Sequence, residues 1–149
     1  MKNNKNQRII EIEMKLTEEQ IKKIAEEIDS GMSCYVHRLT GKIISVIDLD
    51  NFDADEEGWE KEFKEIEDNS DDYLKIENMS STEKFELMAE FAENLDNPLL
   101  KEELINALEK SKPFRNFKWL IDNSGLYRQK WFDFESQKMI EWVKQQLID

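Results

Sequence analysis

Apolar residues recur along this chain with two different periods, and the balance between them changes once. Arg8–Lys15 sets Ile10, Ile12 and Met14 against Glu11, Glu13 and Lys15, the alternation of a half-buried strand. Cys34–Arg38 and Lys42–Asp48, both rich in β-branched residues, flank Leu39, Thr40 and Gly41, which predicts a hairpin with its glycine in the turn. Tyr73–Glu77 is a later strand suited to extend that hairpin. After Glu77 every apolar stripe has helical spacing. Strands first and helices afterwards specify an α+β fold: a small antiparallel sheet of N-terminal strand, hairpin and one later strand, with a C-terminal cluster of about four helices.

Local signals set the helix boundaries. Thr17 with Gln20, and Ser80 with Glu83, have the spacing of capping boxes, in which each side chain satisfies an otherwise orphaned amide. Ile21, Ile24, Ala25 and Ile28 form the stripe of the first helix, and Gly31 ends it. A short helix is expected around Gly58–Ile66 with Trp59, Phe63 and Ile66 inward. Beyond Ser80 the stripes are Phe85, Met88, Ala89, Ala92 and Leu95, then Leu100, Leu104, Ala107 and Leu108 behind the Asn97–Pro98 start signal. Pro113 opens a helix with Phe114, Phe117, Leu120 and Ile121 inward. Asn123, Ser124 and Gly125 break it, and a last helix over about Leu126–Leu147 carries Trp131, Met139, Trp142, Val143 and Leu147.

The chain has 149 residues, enough for one domain of about two-thirds buried surface, and no linker or repeat divides it, so residues 1–149 are expected to form a single domain. Residues 1–8 read as a disordered tail and 48–72 as an acidic loop region. Formal net charge is −13, but the acidity is local. Residues 46–109 hold 22 Asp+Glu against 5 Lys+Arg, whereas 110–149 hold 8 Lys+Arg against 5 Asp+Glu and eight of the fifteen aromatics. Net negative charge disfavours non-specific binding of the whole molecule to nucleic acid or anionic membrane, and a basic local face escapes that rule. No apolar run has the length of a signal peptide or membrane span, so a cytoplasmic protein without membrane association is expected.

Several chemistries are disfavoured by residue supply. One cysteine, Cys34, and one histidine, His37, exclude disulfide frameworks and multi-His or multi-Cys metal sites within a chain. Their odd separation on a strand points them to opposite faces, a poor arrangement for a thiolate and its base. The four glycines stand far apart, so there is no phosphate-binding glycine loop. Asp53, Asp55, Glu57 and Gly58 match the opening of a calcium-binding loop, but Lys64 stands where a bidentate glutamate is required, and neither a metal site nor a cofactor is expected.

The segment Lys110–Trp119 is more distinctive. On a helix beginning at Pro113, Arg115 and Lys118 share a face near Lys112, and Arg128 and Lys130 enter the next helix. These five cations either pair with the acidic middle of the chain or, with Trp119, form a partner- or anion-binding surface.

The hairpin Tyr35–Ile44, the group Phe85, Leu87, Met88 and Phe91, the pair Ala107–Leu108, then Pro113–Lys118, and finally Trp131, Phe132, Phe134 and Trp142 resemble bacterial uncharacterised protein family 0158. The resemblance covers nearly everything after about Met14. It departs at His37 and Arg38, where the family's hairpin is acidic, and at Lys112–Pro113, which replaces a small-residue approach to Phe114. It implies a single domain and carries no assigned activity, substrate or cofactor.

The expected function is a small, non-catalytic protein-interaction module using the C-terminal aromatic and basic helices, with a protein partner. The alternatives are a nucleic-acid-associated protein binding through the same basic face, with Trp119 available for base stacking, and a divalent-metal-dependent hydrolase using the Asp48–Glu57 carboxylates. No recognisable catalytic set is present, and the oligomeric state is not read from the sequence.

Overall fold

A computed structural model describes residues 16–49 and 57–148. The strand expected over Arg8–Lys15 and the carboxylates Asp50, Asp53, Asp55 and Glu56 lie outside the described residues. Helix α1 spans Glu18–Asp29, followed by β1 (Met32–His37), β2 (Ile43–Ile47), α2 (Glu60–Asp68), a 3-10 turn (Ser70–Asp72) and β3 (Tyr73–Ile76). Then come α3 (Ser81–Glu93), α4 (Pro98–Glu109), α5 (Pro113–Asp122) and α6 (Leu126–Ile148). The fold is α+β, with a three-stranded antiparallel sheet of order β2-β1-β3 and a C-terminal group of helices.

Contacts divide the chain into two compact units, one of residues 16–78 with 139–148 and one of Met79–Lys138. Helix α6 contributes residues through Lys138 to the second and those from Met139 to the first.

In the sheet unit, β1 pairs with β2 through Tyr35↔Ile44 and with β3 through Tyr35↔Lys75. Alternation places Cys34 and Val36 on one face, toward α1, whose Glu27 reaches both Cys34 and Ser45. The opposite face carries Ile44, Val46 and Tyr73, packed against Tyr35, Trp59, Phe63 and Ile66. Helix α1 begins at a complete Thr17/Gln20 capping box and buries Ile21, Ile24, Ala25 and Ile28. Gly31 (φ 99°) supplies the left-handed turn into β1. At the hairpin, Gly41 has φ 76°, and the His37 ring accepts the N–H groups of Leu39 and Thr40 at Nδ1, both at 3.1 Å.

The last turns of the chain complete this unit. Met139, Val143 and Leu147 are buried. Glu77, directly after β3, donates its N–H to Gln146 Oε1 at 2.7 Å. Its carbonyl accepts from Trp142 Nε1 at 2.7 Å and Gln146 Nε2 at 2.9 Å. Lys144 pairs with Glu18 at 3.0 Å.

In the helical unit the Ser80/Glu83 capping box starts α3, and Asn97 Oδ1 accepts the Leu100 N–H to start α4 with Pro98 in its first turn. Three rings form the nucleus of its core: Phe117 lies 4.9 Å from Trp131 and 6.5 Å from Phe91, and Phe91 lies 5.2 Å from Trp131, all edge-on. Leu100, Leu104 and Leu108 pack on that nucleus as their spacing predicts. Two expectations shift. In α3 the buried residues are Leu87, Phe91 and Ala92, while Phe85, Met88, Ala89 and Leu95 are only partly buried. Apolar residues stand on more than one side of this helix, so spacing alone selects no single stripe. In α5, Phe117 and Ile121 are buried but Phe114, in the first turn, is 37% exposed.

Phe117→Ala is expected to cost about 3 to 5 kcal/mol, because it removes one ring of an edge-to-face trio and leaves a cavity. Trp119→Ala, two residues away on the exposed side of α5, is expected to change stability by less than about 0.5 kcal/mol. Urea unfolding of the two variants measures the contrast.

Candidate functional site

Helix α5 displays what the helical unit does not bury. Proline at its first turn carries no N–H that would need a cap. Lys112, immediately before it, adopts left-handed backbone angles (φ 56°, ψ 52°) and is the one non-glycine residue with positive φ among the described residues. This conformation is unfavourable for a side chain with a Cβ. Asn116 holds the turn, donating its backbone N–H to Lys112 O at 3.1 Å and its Nδ2 to Ser111 O at 3.0 Å.

Trp119 is 65% exposed. Its ring borders a groove of about 400 Å³ between Glu103, Asn106 and Lys110 of the α4 side and Asn116 and Leu120 of α5. Lys112, Arg115 and Lys118 are exposed, and none forms an ion pair within 4 Å among the described residues. Arg115 lies four residues before Trp119 and three before Lys118, so both neighbours fall on adjoining strips of the helix surface.

Arg128 and Lys130 are differently placed. The Arg128 guanidinium pairs with Asp122 at 3.4 Å and covers the Phe132 ring at 4.8 Å. Lys130 pairs with Asp96 at 3.8 Å and lies 5.0 Å from the Tyr127 ring centroid. Tyr127 donates its hydroxyl to the same Asp96 at 3.0 Å, and that bond holds its proton more firmly than in free tyrosine. Of the six residues singled out in the sequence, Lys112, Arg115, Lys118 and Trp119 thus share one helix and the turn before it. Arg128 and Lys130 are engaged by acidic and aromatic neighbours of their own unit. Asp122, the last residue of α5, lies close enough to Arg128 in sequence to be guessed, but Asp96 is brought to Lys130 only by the fold.

Cys34 is fully buried and is the sulfur member of a small polar cluster. Its Sγ lies 3.3 Å from Ser45 Oγ and 3.6 Å from Glu27 Oε2, and Ser45 donates its hydroxyl to that same carboxylate oxygen. Burial is the chief cause that pushes the thiol up to about 11, with the Glu27 charge adding to it. A thiol held protonated inside the sheet is a packing residue, not a nucleophile. His37 lies on the other face, edge-on to Tyr73 at 5.0 Å, with its Nδ1 engaged by the hairpin amides. Among the described residues no group of three or more His, Cys, Asp or Glu side chains is placed to hold a metal ion. Likewise, no described helix is long and apolar enough to cross a membrane.

Residues 6–149 match the family model described as uncharacterised protein family UPF0158. A UPF0158 protein of Pseudomonas aeruginosa is 29% identical over 84 residues, which is 56% of this chain and 55% of that protein. The match therefore spans about half of that relative's length. No solved structure is significantly similar.

Two expectations follow from these side chains. Lys112→Gly should stabilise the protein by about 1 kcal/mol, since glycine adopts the left-handed turn without the Cβ penalty; denaturant titration checks it. The folded Cys34 thiol releases its proton only near 11, above the ordinary thiol value of 9.0. The native state therefore holds more protons than the unfolded state between those values, and stability should fall as pH rises through that window. Cys34→Ala should lessen the slope in pH-dependent unfolding.

Proposed function

The chain belongs to uncharacterised protein family UPF0158, and we propose that within this family it is a non-catalytic protein-interaction module whose docking face is α5 with the turn before it. The observation that carries the reading is Trp119, which stands 65% exposed beside a groove while Phe117 and Trp131 are buried in the same unit. Exposed tryptophan and arginine are the side chains that most often anchor protein interfaces. Lys112, Arg115 and Lys118 surround it with positive charge that the described part of the chain does not neutralise. An acidic segment with an apolar side chain for the groove is the partner chemistry this face suits: the cations steer the encounter and the indole supplies buried area.

The role of Arg128 and Lys130 is narrower than the sequence suggests. Each is already paired and stacked within the helical unit, so recruiting either to a partner means breaking an existing contact. Lys112, Arg115, Lys118 and Trp119 are therefore the residues assigned to the interface. Nothing in the site supplies an activated nucleophile or an acid–base pair, which supports binding over catalysis.

The test is capture of partners from host lysate by tagged protein, with and without nuclease, beside Arg115→Glu/Lys118→Glu and Trp119→Ala variants whose melting matches the parent. A nuclease-resistant protein that is weakened at least about tenfold by both variants and by raised salt is the expected result. Co-purifying nucleic acid with a steep salt response would replace this reading with the nucleic-acid one. Binding untouched by either variant would move the interface elsewhere.

A further inference from the structure

The two edges of the sheet are treated differently. Beyond β3, the backbone of Glu77 is occupied by the side chains of Trp142 and Gln146. Beyond β2, no described strand pairs, since the order is β2-β1-β3. The His37 N–H to Lys42 O bond, 2.8 Å, fixes which β2 residues turn toward β1: alternation gives Ile44 and Val46. The N–H and C=O groups of Ile43, Ser45 and Ile47 therefore face away from β1, where no described strand lies. A groove of about 370 Å³ flanks this edge beside α1, and another of about 410 Å³ flanks it beside α2; Ile43 and Ser45 line both. A strand edge without a described partner and with a groove on either face is the form that accepts an added strand, main chain on main chain, with alternate side chains falling into the two grooves.

We propose that the occupant is a second copy of this chain, the two β2 strands pairing antiparallel about a twofold axis through Ser45. The sequence of the strand is self-complementary in that register. Lys42 falls opposite Asp48 of the second copy, Ile43 opposite Ile47, and Ile44 opposite Val46. Ile43, Ser45 and Ile47, whose backbone groups face outward, are the residues that exchange hydrogen bonds, about two at each of three pairs. Ile43 and Ile47 are only half-buried in one chain and gain cover from each other. Shifting the centre to Ile44 sets Lys42 against Val46, and shifting it to Val46 sets Ile44 against Asp48. The Ser45-centred register alone matches charge with charge and apolar with apolar, and cross-strand pairs of this kind set register. The result is one continuous sheet, twice as wide, with an isologous interface. This surface belongs to the sheet unit and shares no residue with the α5 face.

Sedimentation of the full chain from about 1 μM to about 1 mM tests it, together with amide hydrogen exchange at both ends of that range. The expected result is a dimer in which the Ile43, Ser45 and Ile47 amides gain protection with concentration. Lys42→Asp and Asp48→Lys should each weaken it about tenfold, since each variant sets like charges opposite at two symmetry-related pairs, and the double variant should recover to within about threefold of the parent. A monomer at every concentration would overturn the proposal. So would a dimer indifferent to both single variants, or protection of those three amides in the monomer, which would assign the edge to another segment of the same chain.

Discussion

The sheet unit depends on a clasp between residues far apart in sequence. Glu77 directly follows the last strand, and its N–H and C=O are both taken by Gln146, whose amide presents an acceptor and a donor much as a neighbouring strand would. Trp142 adds a second bond to the carbonyl. These contacts register the final turns of α6 against the sheet, and with that registration Met139, Val143 and Leu147 become core residues. Without it, the three-stranded sheet would keep one described helix on each face, α1 on one and α2 on the other. A small sheet so covered is marginal, so the clasp decides whether the unit has an adequate core.

The helical unit solves a different problem. It concentrates aromatic surface in one place, with Phe91, Phe117 and Trp131 in mutual edge-on contact and Phe134 tilted against Phe91 at 5.4 Å. That nucleus is satisfied without Trp119, whose ring is left for the surface. The same helix thus buries Phe117 and displays Trp119, while Arg128 pairs with Asp122 and Lys130 with Asp96.

Much of this architecture is written in short stretches of sequence. Thr17 with Gln20, Ser80 with Glu83, and Asn97 with Pro98 each specify a helix start within four residues, and the structure has all three. The hairpin is equally local, since Gly41 takes the positive φ its turn requires. What is not legible is what depends on distance. Which side of the hairpin β3 joins is a tertiary choice, as is the identity of the buried face of α3, where Leu87 and Phe91 displace Phe85 and Met88 from the core. The site divides in the same way: the grouping of Lys112, Arg115, Lys118 and Trp119 follows from helical spacing, whereas Lys130 is removed from it by an aspartate thirty-four positions earlier. No rule of spacing could have found that partner.

The division of the chain also orders its own synthesis. The helical unit is one uninterrupted stretch, so all of its core residues have been made once the ribosome has passed Lys138. The sheet unit begins earlier yet must wait for Leu147 of α6. A nascent chain therefore carries a sheet unit without its α6 residues throughout elongation of the whole intervening segment. The part made first is finished last, and a premature stop anywhere in α6 past Lys138 would release a protein whose helical unit is complete and whose sheet is not.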